Sequence, residues 1–289
     1  MNFEKRPLTA GLHLVGVPIG TARDITLRAL DTLASADLLV AEDTRSLRKL
    51  MDIHGVKLDG RQVLSLHDHS GPGTVARVVA AARTGAVAYA SEAGMPLIAD
   101  PGFELVRAAR AAGVPVTAAP GPTAVTTALA IAGLPTDAFF FAGFLPNAQN
   151  ARRTALAELR DIPATLVFYE SPKRVGKMLA DAAETLGSTR QVAVCRELTK
   201  RFEEVLSGTL EDVSNHLKET TLKGEICVLI ERRSPDVKEV DVNSELRRAF
   251  ATMSVRDAVD AVAAAHGLKR RAVYKAALTL TQDGQDGTE

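Results

Sequence analysis

Several features that would mark other classes of protein are scarce in this chain of 289 residues. It has no tryptophan, 4% aromatic residues and only two cysteines, Cys195 and Cys227. Two thiols are too few for a disulfide framework or a cysteine-rich zinc site. No window approaches about 18 consecutive apolar residues, and the start of the chain lacks the apolar segment of a signal peptide. We therefore expect no membrane span and a cytoplasmic protein.

Net charge is also absent, because 35 basic side chains balance 35 acidic ones. Taken over the whole chain, this balance argues against a nucleic-acid partner, since phosphate binding usually leaves a basic footprint. The charge is unevenly distributed, however. Residues 244–280 carry seven basic and three acidic side chains. A neutral chain can therefore contain one cationic module.

What the sequence does contain is a regular alternation of short apolar runs and helical patterns. The runs at 12–17, 38–41 and 86–90 predict buried strands, and apolar spacing predicts a helix over 24–33. Strands that alternate with helices favour a mostly parallel α/β sheet. In the second half the strands follow one another more closely, which predicts a mixed sheet.

Two segments divide the chain. Pro120-Gly121-Pro122 has the composition of a domain junction, and residues 234–242 form a linker rich in charge. Beyond the linker, Ser254 is a candidate N-cap, and a glycine-containing turn leads to a basic helix. This helix-turn-helix pattern is typical either of a segment that contacts nucleic acid or of a purely structural cap. The predicted units are two α/β domains, over residues 1–120 and 121–235, and a helical extension over 243–282.

Chemistry is expected where the strands of the first half end, because ligands of open α/β sheets bind outside the carboxyl ends of the strands. The loop over residues 91–102 is fixed by glycine and proline, and no dinucleotide or P-loop fingerprint is present. His67 and His69 lack a third nearby ligand, so we predict no metal site. Glu42 and Asp43 form either an acid pair or a loop ion-pair network with the neighbouring arginine.

Ten motifs, in order and in spacing, carry a family resemblance over residues 11–232. They include SEAGMPLIADPG (91–102), FYESPKR (168–174) and RELTK (196–200). The chain resembles the tetrapyrrole-methylase superfamily of S-adenosylmethionine (SAM) methyltransferases. Within it, the chain is similar to the ribosomal RNA small-subunit methyltransferase I family, which 2′-O-methylates a cytidine of 16S rRNA. The resemblance implies two α/β domains with SAM in the cleft between them, a homodimer and a 16S rRNA substrate, within the 30S subunit.

The resemblance also implies site residues. The implied SAM-binding positions are Pro18, Gly94, Met95, Ile98, Thr123, Ala124, Tyr169, Glu170, Gly224, Glu225 and Ile226. Candidates for the base that takes the ribose proton are Glu42, Asp43 and His67. Basic side chains that could hold RNA phosphates are Arg23, Arg45, Lys173, Arg174, Arg196, Lys200, Lys269, Arg270 and Arg271.

Two other functions remain open at this point. One is a methyltransferase of the same fold that acts on a tetrapyrrole or on the diphthamide precursor, although the FYESPKR and RELTK motifs resemble the RNA-directed branch. The other is a nucleic-acid-binding regulator that uses the C-terminal helices, while the α/β part only senses a ligand.

Overall fold

The computed structural model describes residues 3–67, 70–220, 222–233, 242–266, 268 and 270–283. The chain forms two compact units, Met1–Arg233 and Ser234–Glu289. Among the sequence predictions, His69, Lys269 and most of the linker at 234–242 lie outside the described residues. In the part of the chain that the structure describes, no helix combines the length and the apolar character needed to cross a membrane.

The first half of the larger unit is a five-stranded parallel sheet with the strand order β3-β2-β4-β1-β5. Its elements are β1 (Gly11–Val15), α1 (Leu27–Ser35), β2 (Leu38–Ala41), α2 (Thr44–Ile53), β3 (Val63–Ser65), α3 (Pro72–Ala82), β4 (Ala86–Ala90), α4 (Phe103–Ala111) and β5 (Val116–Ala119). Helices α1 and α2 cover one face and α3 and α4 the other, so β4 is buried throughout. Burial on both faces explains why its strand AVAYA is a continuous small and apolar run.

The predicted helix over 24–33 begins later than its apolar spacing suggests. A short 3-10 helix occupies Ala22–Asp24, and α1 starts at Leu27. Thr26 is the N-cap, because its hydroxyl accepts a hydrogen bond from the Ala29 N–H at 3.1 Å. Arg23 therefore lies in the short 3-10 helix ahead of α1.

The second half of this unit is a mixed sheet with the order β6-β7-β10-β8-β9, in which β6 and β7 are parallel. Its elements are α5 (Ala124–Ile131), β6 (Phe139–Phe144), α6 (Gln149–Leu159), β7 (Thr165–Glu170), α7 (Val175–Leu186), β8 (Gln191–Arg196), β9 (Glu204–Thr209), α8 (Leu210–Glu219) and β10 (Ile226–Ile230). Helices α6, α7 and α8 pack on one face, and α5 packs on the other. The predicted fold class, including the mixed second sheet, is confirmed.

The described residues of the smaller unit form three helices, α9 (Val242–Phe250), α10 (Val255–His266) and α11 (Arg270–Asp283). Their apolar faces form a core of their own around Leu246, Val259 and Val273. Ser254 accepts a hydrogen bond from the Asp257 N–H at 3.2 Å, as the N-cap prediction requires. The helical extension therefore has the predicted character.

Candidate functional site

The loops that follow β1 and β5 meet backbone to backbone at the carboxyl edge of the first sheet. A Cβ atom added at Gly16 would lie 2.6 Å from the Gly121 nitrogen and 2.7 Å from the Met95 sulfur. Real Cβ atoms do not approach other atoms so closely, so only glycine fits at this crossing. The crossing anchors one side of a cleft between the two sheets.

The loop after β4 forms the next wall, and its backbone is strained. Gly94 lies in the left-handed region (φ 70°) and pairs with Val17 through two hydrogen bonds of 2.9 and 3.1 Å. Leu97 (φ 74°) and Ala99 (φ 61°) also have positive φ, which is uncommon for residues with a side chain. Such strain persists only where the surroundings impose it, and it is frequent in ligand-binding loops.

The second half contributes a loop from Glu197 to Lys200 that is held by ionic contacts. The Glu197 carboxylate accepts hydrogen bonds from the Lys200 ammonium and the Glu225 N–H, each at 3.0 Å. These bonds lower the pKa of Glu197. Thr199 has φ 63°, and its hydroxyl accepts a hydrogen bond from the Thr21 N–H at 3.2 Å. This loop therefore joins the two halves across the cleft.

Between these loops lies a cavity with a volume of about 410 Å³, which we call the donor cavity because residues predicted to bind the methyl donor line it. It is lined by ten of the eleven residues predicted to bind SAM: Gly94, Met95, Ile98, Thr123, Ala124, Tyr169, Glu170, Gly224, Glu225 and Ile226. Pro18 is not among the lining residues, although its neighbour Ile19 is. The structure thus brings together residues from both halves that lie up to about 130 positions apart in the sequence.

The wall of the donor cavity is mainly apolar and aromatic. Tyr169 makes edge-to-face contacts with Phe141 and Phe144, with ring centroids 4.9 and 5.7 Å apart. Burial raises the pKa of the Tyr169 phenol, so this group stays neutral. At the end of the same strand the buried Glu170 pairs with Arg174 at 3.1 Å. Apolar walls with a few fixed polar groups are typical of small-molecule sites.

Sequence reasoning missed other lining residues, among them Asp100, Phe144 and the two cysteines. Cys195 and Cys227 are partners in the β8–β10 register, and both are buried. Burial raises the pKa of the Cys195 thiol to about 11 and raises that of Cys227 as well. Both thiols are therefore neutral apolar wall groups, and no motif marked them because their position depends on sheet register.

The three candidate bases lie at the ends of neighbouring strands β2 and β3. Glu42 Oε2 accepts a hydrogen bond from the Glu92 N–H at 3.3 Å, one residue before Ala93 of the donor cavity. Asp43 is the N-cap of α2, where it accepts from the Arg45 N–H at 2.7 Å. His67 follows β3, and its backbone N–H donates to the Ser70 hydroxyl at 2.9 Å.

The predicted RNA-binding side chains divide by the partners they have. Arg196 pairs with Glu204 at 2.9 Å, and Lys200 pairs with Glu197 and Glu225. Arg45 pairs with Asp43 but remains 89% exposed. In the smaller unit Arg270 pairs with Asp260. Arg23, Lys173 and Arg271 are exposed, with no ion pair among the described residues. The roles of all these residues stay predictions.

Two families of known proteins match the chain. The family of Tetrapyrrole (Corrin/Porphyrin) Methylases matches residues 11–214, and the RsmI C-terminal HTH domain matches residues 236–281. Members of the methylase family use SAM as methyl donor. The first match lies within the larger compact unit and the second within the smaller one.

Curated relatives match over nearly the whole chain. "Ribosomal RNA small subunit methyltransferase I" of Mesorhizobium japonicum is 41% identical over 285 residues, covering 98% of this chain and 96% of the relative. The protein of the same name from Mycobacterium tuberculosis is 42% identical over 275 residues, covering 94% and 96%.

Solved structures of lower sequence identity share the fold alone. A diphthine synthase matches with a TM-score of 0.59 at 15% identity, covering 76% of this chain and 89% of that chain. A uroporphyrin-III-C-methyltransferase from Thermus thermophilus matches with a TM-score of 0.52 at 23% identity, covering 76% and 94%. The sequence matches to ribosomal RNA methyltransferases therefore outweigh the tetrapyrrole, diphthamide and regulator alternatives. The chain belongs to the tetrapyrrole methylase family and, within it, to the methyltransferases of small-subunit ribosomal RNA.

Proposed function

We propose that this chain transfers a methyl group from SAM to the ribose 2′-hydroxyl of a cytidine in 16S rRNA. The observation that carries the proposal is the donor cavity, which gathers ten predicted SAM-binding residues from two sheets into one cleft. SAM supplies a methyl group on a sulfonium that is already a good leaving group. The chain's own task is therefore to orient the reactants, exclude water and remove one proton.

The residues of the donor cavity fit such a donor. The aromatic edge formed by Phe144 and Tyr169 offers an apolar surface for a nucleobase. The Gly94 and Gly224 segments bring backbone close to the cavity, and Glu225 and Asp100 offer carboxylates for polar groups. The hydrogen bond from the Thr21 N–H to the Thr199 hydroxyl joins the loop after β1 to the second half of the unit across the cleft.

Glu42 is the best-placed base among the three candidates. A ribose hydroxyl is a weak nucleophile near neutral pH, so a carboxylate that accepts its proton as the bond forms accelerates the transfer. The Glu42 carboxylate lies against the Glu92 N–H, beside the donor cavity. The hydrogen bonds that Asp43 accepts at the start of α2 commit that carboxylate to capping.

The assembly proposed for this function is a homodimer acting on the 30S subunit in the cytoplasm. Strand β6 lies at the edge of its sheet, and its residues Phe139 and Phe140 are 46% and 41% exposed. An exposed aromatic edge strand invites pairing, and a second copy would cover it. Sedimentation velocity of the purified chain tests this, and a monomer at all concentrations would contradict it.

Transfer of label from SAM to ribosomal subunits tests the proposed reaction directly. Incubation with labelled SAM and unmethylated 30S subunits should place label in 16S rRNA, in a cytidine that resists alkaline cleavage at its 3′ side. Such resistance identifies a 2′-O-methyl group, since the free hydroxyl is the nucleophile in alkaline cleavage. Label that enters a base, or no RNA at all, would contradict the proposal.

A further inference from the structure

A second cavity of about 580 Å³ lies between α6 and α7, and we call it the α6–α7 groove. Strands β6 and β7 are parallel, so the helices that follow them start at the same edge of the sheet. Residues of the first turns line the groove, with Gln149 and Arg152 from α6 and Lys177 from α7. Two helix N-termini therefore face one groove, where their partial positive charges favour an anion.

The floor of the groove is an ion-pair network centred on the buried pair Arg152–Asp181. Asp181 is 2% exposed, and it pairs with Arg152 at 2.6 Å and with Arg153 at 2.7 Å. Arg153 also reaches Glu184 at 2.7 Å. Two arginines thus balance two carboxylates, and the floor contributes rigidity with no net charge.

The rim of the groove supplies the unbalanced charge. Lys173 and Lys177 both line the groove and are exposed. Within the described part of the chain, neither ammonium group has a carboxylate within ion-pair distance. The groove therefore carries two positive charges that are free to meet a ligand.

The α6–α7 groove adjoins the donor cavity. Pro172 lines the donor cavity and the next residue, Lys173, lines the groove. Arg174 connects the two, since its guanidinium pairs with Glu170 of the donor cavity at 3.1 Å and donates to the Leu145 carbonyl at 2.6 Å. The groove and the donor cavity are therefore neighbours in the fold.

We infer that the α6–α7 groove binds backbone phosphates of the substrate RNA, with Lys173 and Lys177 as its phosphate contacts. This inference rests on the proposed function, for which it supplies the path of the RNA strand. No aromatic side chain lines the groove among the described residues. Base stacking is therefore absent from it, and the groove holds phosphates without reading sequence.

Salt dependence of RNA binding tests this inference. The variant Lys173→Ala/Lys177→Ala is compared with the wild type and with Arg83→Ala/Arg110→Ala. The control removes two exposed charges at the C-terminal ends of α3 and α4. These helix ends lie at the amino edge of the first sheet, opposite the carboxyl edge that borders the cleft. Binding of unmethylated 30S subunits is measured with S-adenosylhomocysteine present, at several salt concentrations and constant magnesium.

Loss of two phosphate contacts should flatten the salt dependence. Between about 50 and 200 mM salt, wild-type affinity should fall about sevenfold further than that of the lysine variant, because each phosphate contact with a single strand adds roughly 0.7 to the log–log slope. The arginine control should keep the wild-type slope. SAM affinity should be unchanged in all three proteins, which separates loss of RNA contact from misfolding.

A crosslink gives a second, independent readout. Both native thiols are buried, so a thiol-reactive photo-crosslinker attaches to the Lys177→Cys variant at the new cysteine alone. It should join 16S rRNA beside the methylated nucleotide, whereas the same label on Arg110→Cys should not. Two results would contradict RNA binding in the groove while leaving the proposed function standing. One is an unchanged salt slope of the lysine variant with intact methylation, and the other is identical crosslinks from positions 177 and 110. Absence of methylation by the wild type would instead overturn the proposed function.

Discussion

At the scale of single residues, two adjacent carboxylates have different tasks. Asp43 accepts hydrogen bonds from the Arg45 and Ser46 N–H groups, at 2.7 and 3.4 Å. The Arg45 N–H bond, followed by the Arg45 side chain, lowers the pKa of Asp43. A carboxylate that is stabilised in its charged form is a weaker proton acceptor. Glu42 has one such bond, from the Glu92 N–H, and is the better candidate base.

A matched pair of amide substitutions separates these tasks. Glu42→Gln should lower kcat by about 10²- to 10⁴-fold, the usual contribution of a general base, without changing SAM affinity. Asp43→Asn removes the neighbouring charge but keeps a good N-cap, so its kcat should stay near the wild-type value. Single-turnover methylation of 30S subunits measures both. Equal losses in the two variants would refute the assignment of Glu42.

Sequence motifs predicted cavity residues that lie in loops or at strand ends, and missed others, including two cysteines that sheet register places in the wall. Gly94 and Thr123 lie at strand ends, where parallel topology alone brings them to one edge. Cys195 and Cys227 lie inside strands, and they reach the cavity because β8 and β10 pair at these positions. Register depends on contacts between distant segments, which a single sequence does not reveal.

At the scale of elements, the packing of α6 against α7 depends on one buried carboxylate. Asp181 on α7 accepts hydrogen bonds from Arg152 at 2.7 Å, from Arg153 at 2.7 Å and from Gln149 at 3.0 Å. Burial alone would raise the pKa of Asp181, but the hydrogen bonds lower it below its ordinary value of 3.8. Ion pairs between two helices leave no local pattern in a sequence, so the pairing of Asp181 with Arg152 could not be predicted from it.

Removal of this carboxylate should therefore destabilise the larger unit. Asp181→Ala leaves Arg152 buried without a counter-charge, which should cost about 3–5 kcal/mol of unfolding free energy at neutral pH. Because the folded pKa of Asp181 is depressed, its contribution is present above the unfolded pKa and is lost as pH falls through the folded value. The difference from wild type should accordingly shrink in acid.

Denaturant unfolding at neutral and acidic pH measures that difference. Asp52→Ala is the control, since Asp52 is an exposed helical aspartate without an ion pair among the described residues. A loss at neutral pH no larger than that of the control would contradict the role given to Asp181.

At the scale of the whole molecule, neutrality conceals two separate basic surfaces. One is the rim of the α6–α7 groove in the larger unit. The other is α11 of the smaller unit, where Arg271, Tyr274 and Lys275 are exposed on one helix. Summed charge averages these surfaces with acidic regions, so it neither predicts nor excludes an RNA partner. The regional count of charge in the sequence did identify the second surface.

Removal of residues 234–289 tests whether the smaller unit serves substrate recognition. The donor cavity lies wholly within the larger compact unit, so the truncated chain should keep its SAM affinity. It loses the exposed basic face of α11, and the KM for 30S subunits should therefore rise at least about tenfold. The variant Arg271→Ala/Lys275→Ala should reproduce part of that rise in the full chain, which excludes a mere loss of folding. If KM stays unchanged in both proteins, the helices are a structural extension, and the RNA footprint lies in the larger unit alone.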